Sequence, residues 1–202
     1  QEHSENNCPD IKQYKLDTVY LKMAQVWASN SHCKRSQVGC LVVKDKTIIS
    51  DGYNGTPSGY DNCCENENWE THWYTIHAES NAILKCARWG HSCDGATLYL
   101  THSPCKDCSK SVLQSGIRRV VYIEDYKDLE GVNFLTNSGI ETQRGILINN
   151  NFETSIPDIY AIGDCAEFKT PIIGRRNIEQ VWYTGRIMGE QLANHLFKSK
   201  TE

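Results

Sequence analysis

Near the start of the chain, apolar residues recur every three or four positions within a polar background. They are Leu16, Val19, Tyr20, Met23, Val26 and Trp27. This spacing is that of one helix face, and it predicts an amphipathic helix over residues 15–30. The residues before it, 1–14, are mostly polar and show no such period, so they predict a flexible arm.

Two short apolar runs, residues 38–44 and 47–53, flank the polar Asp45-Lys46 pair and predict a hairpin. Further along the chain, helical and strand patterns alternate. The predicted elements are a helix at 77–88, a strand at 97–101, a helix at 105–114, a strand at 119–123 and a helix at 129–137. A strand–helix–strand order predicts parallel strands. The fold class is therefore α/β, with a mixed central sheet and helices on its faces.

The alternation stops near Glu141. A short apolar run at residues 144–149 is expected to supply the last strand of the sheet, and a helix is predicted over residues 177–197. Between them the pattern does not continue the earlier period. Beyond the arm, we therefore predict two segments: a domain over residues 15–143 and a C-terminal tail over residues 144–202.

Charge and hydropathy narrow the possible partners. The chain has 202 residues and a net charge of -4, without a basic stripe, so duplex nucleic acid is not an expected partner. No apolar run approaches the roughly 18 residues of a membrane-spanning helix, so no membrane contact is expected. The polar N-terminal stretch lacks the apolar core of a signal peptide, which predicts a cytoplasmic location.

Ten cysteines are more than a chain of this kind needs for packing. Cys63 and Cys64 are adjacent, and Cys105 and Cys108 have the spacing of metal ligands. In the cytoplasm, clustered cysteines with nearby histidines are more often metal ligands than disulfides. We therefore favour metal binding, and disulfide formation is the alternative.

One combination of residues predicts a catalytic zinc site. His77, Cys105 and Cys108 give three ligands, which leaves the fourth position of a zinc ion open for water. Glu79 lies two residues after the histidine, where its carboxylate can move protons. Together they match the H-x-E…P-C-x-x-C signature of zinc deaminases. A C-x-x-C pair alone would also be typical of a redox or a structural zinc site.

Three longer motifs make the match more specific. They are H-A-E-S-N-A-I from His77, T-H-S-P-C-K-D-C from Thr101 and G-Y-N-G-T-P-S-G from Gly52. With these motifs the sequence resembles deoxycytidylate (dCMP) deaminases over about residues 15–141. The resemblance implies a three-layer α/β/α cytidine-deaminase fold, a bound Zn²⁺ ion, and hydrolysis of dCMP to dUMP and ammonia.

The resemblance also implies substrate contacts. Asn54 would contact the sugar or the base, although Asn54-Gly55 alone is also a turn signal. Arg35 would bind the phosphate through its fork of donors, and a solvated surface arginine is the alternative. Ser103 would offer its backbone or hydroxyl to the base. Tyr126 would close over the nucleotide, unless it is a core or rim tyrosine.

Some relatives hold a second, structural zinc ion, and here Cys33, Cys63 and His72 occupy matching positions. The candidates for a fourth ligand are Cys64, Glu65 and Glu67. A closed structural site needs four protein ligands, so ordinary thiols are the alternative interpretation. The resemblance further implies dCTP and dTTP as effectors and assembly into a homo-oligomer.

The tail resembles a different family over about residues 144–195. Its T-S-I-P-D-I-Y-A-I-G-D segment is similar to the C-terminal FAD-binding segment of pyridine-nucleotide oxidoreductases, in which Asp164 would bind the ribityl chain. The chain contains no G-x-G-x-x-G fingerprint, so neither dinucleotide fold is complete and FAD is not an expected cofactor.

Two other functions compete with dCMP deamination. One is a deaminase for cytidine, a riboflavin precursor or tRNA adenosine. The loop at residues 52–59 favours a nucleotide over these substrates, and the lack of a basic surface argues against tRNA. The other is a flavoprotein or a partner-binding fragment that acts through the tail.

Overall fold

The computed structural model describes residues 9–144, 146–154, 160, 162, 166–168 and 182–198. The chain divides into two compact units. The larger unit is Leu16–Gln143, and the smaller one combines Gln1–Lys15 with Arg144–Glu202. None of the described helices has both the length and the apolar character that crossing a membrane requires.

Five helices and seven strands lie in the described residues. In chain order they are α1 (Pro9–Ala28), β1 (Gly39–Lys44), β2 (Thr47–Tyr53), α2 (Ala78–Trp89), β3 (Thr97–His102), α3 (Lys106–Gln114), β4 (Arg119–Glu124), α4 (Glu130–Asn137), β5 (Glu141–Gln143), β6 (Ile146–Ile148), β7 (Ala166–Phe168) and α5 (Trp182–Lys198). Because α1 begins at Pro9, the predicted arm is wrong for residues 9–14, which are helical. Residues 1–8 lie outside the described residues.

A five-stranded mixed sheet of order β2-β1-β3-β4-β5 forms the centre of the larger unit. Strand β1 is antiparallel to β2 and β3, whereas β3, β4 and β5 are parallel to one another. The hairpin turns at Asp45 and Lys46, which both have positive φ, as a tight hairpin turn requires. The last strand is β5, so the expectation that residues 144–149 supply it is wrong. Strand β6 pairs with β7 in a separate sheet.

Helices cover both faces of this sheet, because successive side chains of a strand point to opposite sides. On one face Leu41, Tyr99 and Val121 pack with Tyr20 and Ala24 of α1. The opposite face packs against α2, α3 and α4. Its buried residues include Val42, Leu98, Val120, Ala82, Val112 and Leu135. The mixed three-layer α/β/α fold is thus confirmed.

A buried polar cluster joins α1 to the end of the sheet at which the parallel strands β4 and β5 begin. Arg119 donates two hydrogen bonds of 2.8 Å to the Asp17 carboxylate, and the Tyr99 hydroxyl donates a third at 2.6 Å. Arg119 also pairs with Glu141 of β5 at 2.7 Å. Removing one partner of such a buried ion pair typically lowers the free energy of unfolding by about 3–5 kcal/mol. The cluster therefore holds four elements together: α1, β3, β4 and β5.

The smaller unit has a modest core in its described part. The parallel β6–β7 pair and α5 enclose Ile148, Phe152, Ala166 and Met188. The helix predicted over residues 177–197 is observed as Trp182–Lys198, and residues 177–181 lie outside the described residues. Asp164 also lies outside them.

Candidate metal centre and substrate pocket

Two helix N-termini bring the predicted zinc ligands together. His77 is the N-cap residue of α2, and Cys105 is the N-cap residue of α3, which also contains Cys108. Helix α3 follows the carboxyl end of β3, so its start lies at that edge of the parallel strands. The positive ends of helix dipoles favour thiolates and carboxylates, and this makes both positions suitable for anionic side chains.

The spacing of the three ligand atoms fits a zinc ion. The Nδ1 atom of His77 lies 3.5 Å from the Cys105 Sγ and 3.4 Å from the Cys108 Sγ. Tetrahedral zinc with ordinary bond lengths places a nitrogen and a sulfur ligand about 3.6 Å apart. Among the residues that the structure describes, these three form the one group of His, Cys and acidic ligand atoms compact enough to hold a metal ion.

The thiols influence each other's ionisation. Hydrogen bonds from Cys108, which has the larger effect, and from His77 lower the pKa of Cys105 to about 4. The same bond and burial raise the pKa of Cys108. A hydrogen bond with Cys105 raises the pKa of His77. The pair therefore offers one thiolate at neutral pH, and a cation would favour ionisation of the second.

Glu79 lies beside the ligand group, in the first turn of α2, and is 5% exposed. Burial raises the pKa of its carboxyl to about 7. A carboxyl with a pKa near the ambient pH exchanges protons readily in both directions. The structure thus places a buried, titratable carboxyl next to the candidate metal ligands, as the spacing of His77 and Glu79 predicts.

A cavity of about 300 Å³ opens above this centre. Of the residues predicted for the catalytic centre and the substrate contacts, seven line it: Arg35, Asn54, His77, Glu79, Ser103, Cys105 and Tyr126. Sequence reasoning missed other lining residues, including Thr71, His102, Asp125 and Lys127. Lys127 was within reach of such reasoning, because it follows Tyr126 directly. Thr71 was not, because its place in the pocket depends on how a long loop folds back.

Asn54 uses both polar side-chain atoms to hold a neighbouring turn. Its Oδ1 accepts a 2.8 Å hydrogen bond from the Val38 amide, and its Nδ2 donates one of 2.8 Å to the Ser36 carbonyl. Arg35, in the same segment, donates to the Thr71 hydroxyl at 3.2 Å. Asn54 therefore shapes the wall that contains Arg35, in addition to lining the cavity itself.

The side chain of Ser103 contacts the backbone of Tyr126. Ser103 is 2% exposed, and its hydroxyl accepts a 2.8 Å hydrogen bond from the Tyr126 amide. The Ser103 amide in turn donates to the Glu124 carbonyl at 2.8 Å. The turn before Cys105 is thus joined to the segment after β4.

The second set of predicted zinc ligands is not assembled. Cys33 forms a disulfide with Cys64, whereas Cys63 is exposed and its thiol donates to the Glu65 carbonyl. His72 stacks on the ring of Tyr74 at a centroid distance of 4.8 Å. The structure pairs Cys33 with Cys64, which is the alternative to metal binding, and does not bring the ligand atoms of Cys33, Cys63 and His72 together. A second zinc ion stays a prediction.

Glu65 contributes to the same wall. Its carboxylate, 8% exposed, accepts hydrogen bonds of 3.1–3.2 Å from the Lys34 amide and of 3.2 Å from the Arg35 amide. With the disulfide, these bonds fasten the segment around Arg35 to the loop after β2. The Glu65 carboxylate can be buried because these backbone amides satisfy its hydrogen-bonding capacity.

The fold and the metal centre together define a deaminase of the zinc-dependent class. A family model described as the cytidine and deoxycytidylate deaminase zinc-binding region matches residues 14–124. This match spans more than half of the chain, so the chain belongs to the cytidine and deoxycytidylate deaminase family.

Individual relatives agree with this assignment. The chain is 43% identical to ComE operon protein 2 of Bacillus subtilis over 120 residues, which is 58% of this chain and 64% of that protein. It is 36% identical to the deoxycytidylate deaminase of Enterobacteria phage T4, covering 63% of this chain and 88% of that protein. The chain thus spans slightly less than two thirds of the Bacillus protein.

A solved structure is similar as well. It is the dCMP deaminase of cyanophage S-TIM5 in complex with dCMP and dUMP, with a TM-score of 0.62 and 42% identity. The match covers 68% of this chain and 98% of the phage protein. A second family model, pyridine nucleotide-disulphide oxidoreductase, matches residues 130–189, which confirms the resemblance of the tail.

Proposed function

We propose that the chain hydrolyses dCMP to dUMP and ammonia, with a zinc ion held by His77, Cys105 and Cys108. The observation that supports this most directly is the compact ligand group with a buried carboxyl beside it, at the base of a cavity of nucleotide size. The similar phage structure, which was solved with dCMP and dUMP, supports the choice of substrate.

Glu79 has the central role in the proposed reaction. A bound zinc ion would acidify the attacking water toward neutral pKa. The Glu79 carboxylate takes a proton from this water as the water attacks C4 of the pyrimidine. It delivers this proton to the ring nitrogen. It then takes the second proton from the hydroxyl group now on C4 and delivers it to the amino group, which leaves as ammonia while the C4 carbonyl of dUMP forms. Its pKa of about 7 suits both steps, because neither protonation state is strongly favoured.

Two cationic side chains in the wall of the cavity are suited to a phosphate. Arg35 lies on one side, where its Nη1 is oriented by Thr71, and Lys127 lies in the segment after β4. We assign the dCMP phosphate to Arg35 with Lys127 as a second charge, and Tyr126 to the closure over the nucleotide. Asn54 supports Arg35 through its hydrogen bonds to Ser36 and Val38, whether or not it also touches the sugar.

Two of the three competing substrates fit these observations less well. Cytidine and a tRNA adenosine offer no terminal phosphate for the two cations at the cavity wall. A tRNA would also need an extended basic surface, and the net charge is -4. A flavoprotein function would reside in the tail, for which FAD binding is still not expected.

A cytoplasmic location, dCTP and dTTP regulation, a second zinc ion and a homo-oligomer remain predictions.

An ammonia-release assay tests the proposal. It compares dCMP, dCTP, cytidine and adenosine as substrates for the wild type and for Glu79→Gln, with zinc measured in both proteins. We expect dCMP to be preferred and kcat to fall by about 10²–10⁴-fold in the variant with its zinc retained, since general acid–base catalysis is lost. Glu190→Gln, the same change at an exposed carboxylate of α5, serves as the control. Unchanged activity of Glu79→Gln would rule out the mechanism.

A further inference from the structure

The segment of residues 125–127 follows β4 and forms one wall of the cavity. Asp125, Tyr126 and Lys127 all line the cavity, and Lys127 is one of its two long cationic side chains. The segment is not part of a helix or strand. Its position over the cavity therefore depends on the contacts that its backbone makes.

Two hydrogen bonds connect residues 124–126 to the turn that precedes Cys105. The Ser103 amide donates to the Glu124 carbonyl at 2.8 Å, and the Tyr126 amide donates to the Ser103 hydroxyl at 2.8 Å. The first bond continues the pairing of β3 with β4. The second bond is different, because it depends on a side chain and would be lost if that side chain lacked oxygen.

A neighbouring ion pair reinforces the same connection. The His102 Nε2 lies 3.3 Å from a Glu124 carboxylate oxygen. Both side chains are partly exposed, at 27% and 67%, so the pair contributes little by itself. The Ser103 hydroxyl is buried, so its hydrogen bond to the Tyr126 amide is the stronger of these two contacts.

We infer that Ser103 is a positioning residue, which holds the 125–127 segment over the cavity and thereby sets the affinity for the nucleotide rather than the rate of the chemical step. This inference rests on the proposed function, since it takes the nucleotide to be dCMP. It differs from the sequence-based expectation that Ser103 contacts the base. The hydroxyl already accepts the Tyr126 amide, and this contact gives it a role within the protein.

The rate of the chemical step is expected to be independent of this contact. His77 and Glu79 are positioned by α2, which packs on β1 and β2. The backbone bond from Ser103 to Glu124 does not involve the hydroxyl, so the turn before Cys105 keeps its place without it. Loss of the hydroxyl should thus free the 125–127 segment and leave the metal ligands unchanged.

The test compares Ser103→Ala with Ser115→Ala by hydrogen exchange and kinetics. Ser115, at the C-cap of α3, is the matched control, because its hydroxyl also bonds to a backbone group. For Ser103→Ala we expect the Tyr126 amide to exchange at least about tenfold faster, and KM for dCMP to rise about fivefold to tenfold. We expect kcat to stay within about twofold and zinc content to be unchanged. Ser115→Ala should match the wild type in all four measurements.

Two results would overturn the inference. One is an unchanged exchange rate of the Tyr126 amide in a folded Ser103→Ala protein. The other is an unchanged KM with a kcat reduced tenfold or more, which would place the hydroxyl in the chemical step. A wild type that does not deaminate dCMP would refute the proposed function instead. In that case the exchange measurement still decides whether Ser103 holds the segment.

Discussion

In the described residues, the two units of the chain differ in the size of their sheets and of their apolar cores. The larger unit has a five-stranded sheet with helices on both faces, and its buried residues form two separate apolar layers. In the described part of the smaller unit, a two-stranded parallel sheet and one helix enclose four buried apolar residues. Parallel sheets are normally covered on both faces, and within the described residues this arrangement is seen in the larger unit.

This difference explains why chemistry can be assigned to one unit and not to the other. In the larger unit, rigid elements bring His77, Cys105 and Cys108 to one point, and a cavity lies beside them. The tail matches the pyridine-nucleotide oxidoreductase model without the glycine-rich fingerprint that a dinucleotide fold needs. A family resemblance therefore supports a function only where the residues that perform the chemistry are also present.

The largest expected difference between the units comes from a matched pair of cysteine substitutions. Cys105→Ala removes a zinc ligand, and we expect zinc binding to fail and kcat/KM for dCMP to fall by at least about a thousandfold, because metal-ion catalysis is worth several kcal/mol. Cys165→Ala makes the same change in the tail and should leave both properties unchanged. Metal analysis and ammonia release measure them. An active, zinc-loaded Cys105→Ala protein would contradict the proposed centre.

A matched pair of glycine substitutions gives the next largest effect. At Gly131 of α4 an added Cβ would collide with the Pro104 carbonyl and lie 2.8 Å from the Cys105 carbonyl carbon. We expect Gly131→Ala to cost about 1–3 kcal/mol of unfolding free energy, as overpacking typically does, and to weaken zinc binding. At Gly189 of α5, the one atom of the described residues that the added Cβ meets is the Ile162 Cδ1, at 3.6 Å.

Gly189→Ala should therefore be neutral or stabilising by up to about 1 kcal/mol, from helix propensity. Urea unfolding monitored by circular dichroism, with zinc measured in parallel, compares the two variants. If both were neutral, the close packing of α4 on the turn of the metal ligands would not be required. If both were destabilising to the same degree, the contrast between the two units would be lost.

Sequence patterns predicted the parts of the larger unit that depend on local order. Apolar periodicity located the helices and strands, and the spacing of His77, Glu79, Cys105 and Cys108 predicted the metal centre. These features depend on neighbours along the chain or on a fixed signature, so one sequence suffices to find them. Helix α1 began earlier than expected, because the polar residues before Lys15 can join a helix that already exists.

Contacts between distant loops could not be predicted in the same way. The bond between Cys33 and Cys64, the buried Glu65 and the Thr71 contact of Arg35 all require the loop after β2 to fold against the segment after α1. Cysteine spacing alone gives many possible pairings, and it favoured a metal site here. The tertiary fold buries the sulfur atoms of Cys33 and Cys64 next to each other, and spacing along the chain does not predict this.

Removing the tail should have the smallest effect on deamination. A chain that ends at Gln143 keeps every strand of the five-stranded sheet, and Tyr20 and Ala24 still pack α1 onto it. Residues Gln1–Lys15 belong to the smaller unit and lose its contacts, so the first turns of α1 are expected to fray. We expect kcat/KM for dCMP within about twofold of the full chain, because a change that leaves transition-state contacts intact alters this ratio little. Ammonia release with zinc-loaded protein measures it. A loss of tenfold or more would show that the larger unit needs the tail for its activity.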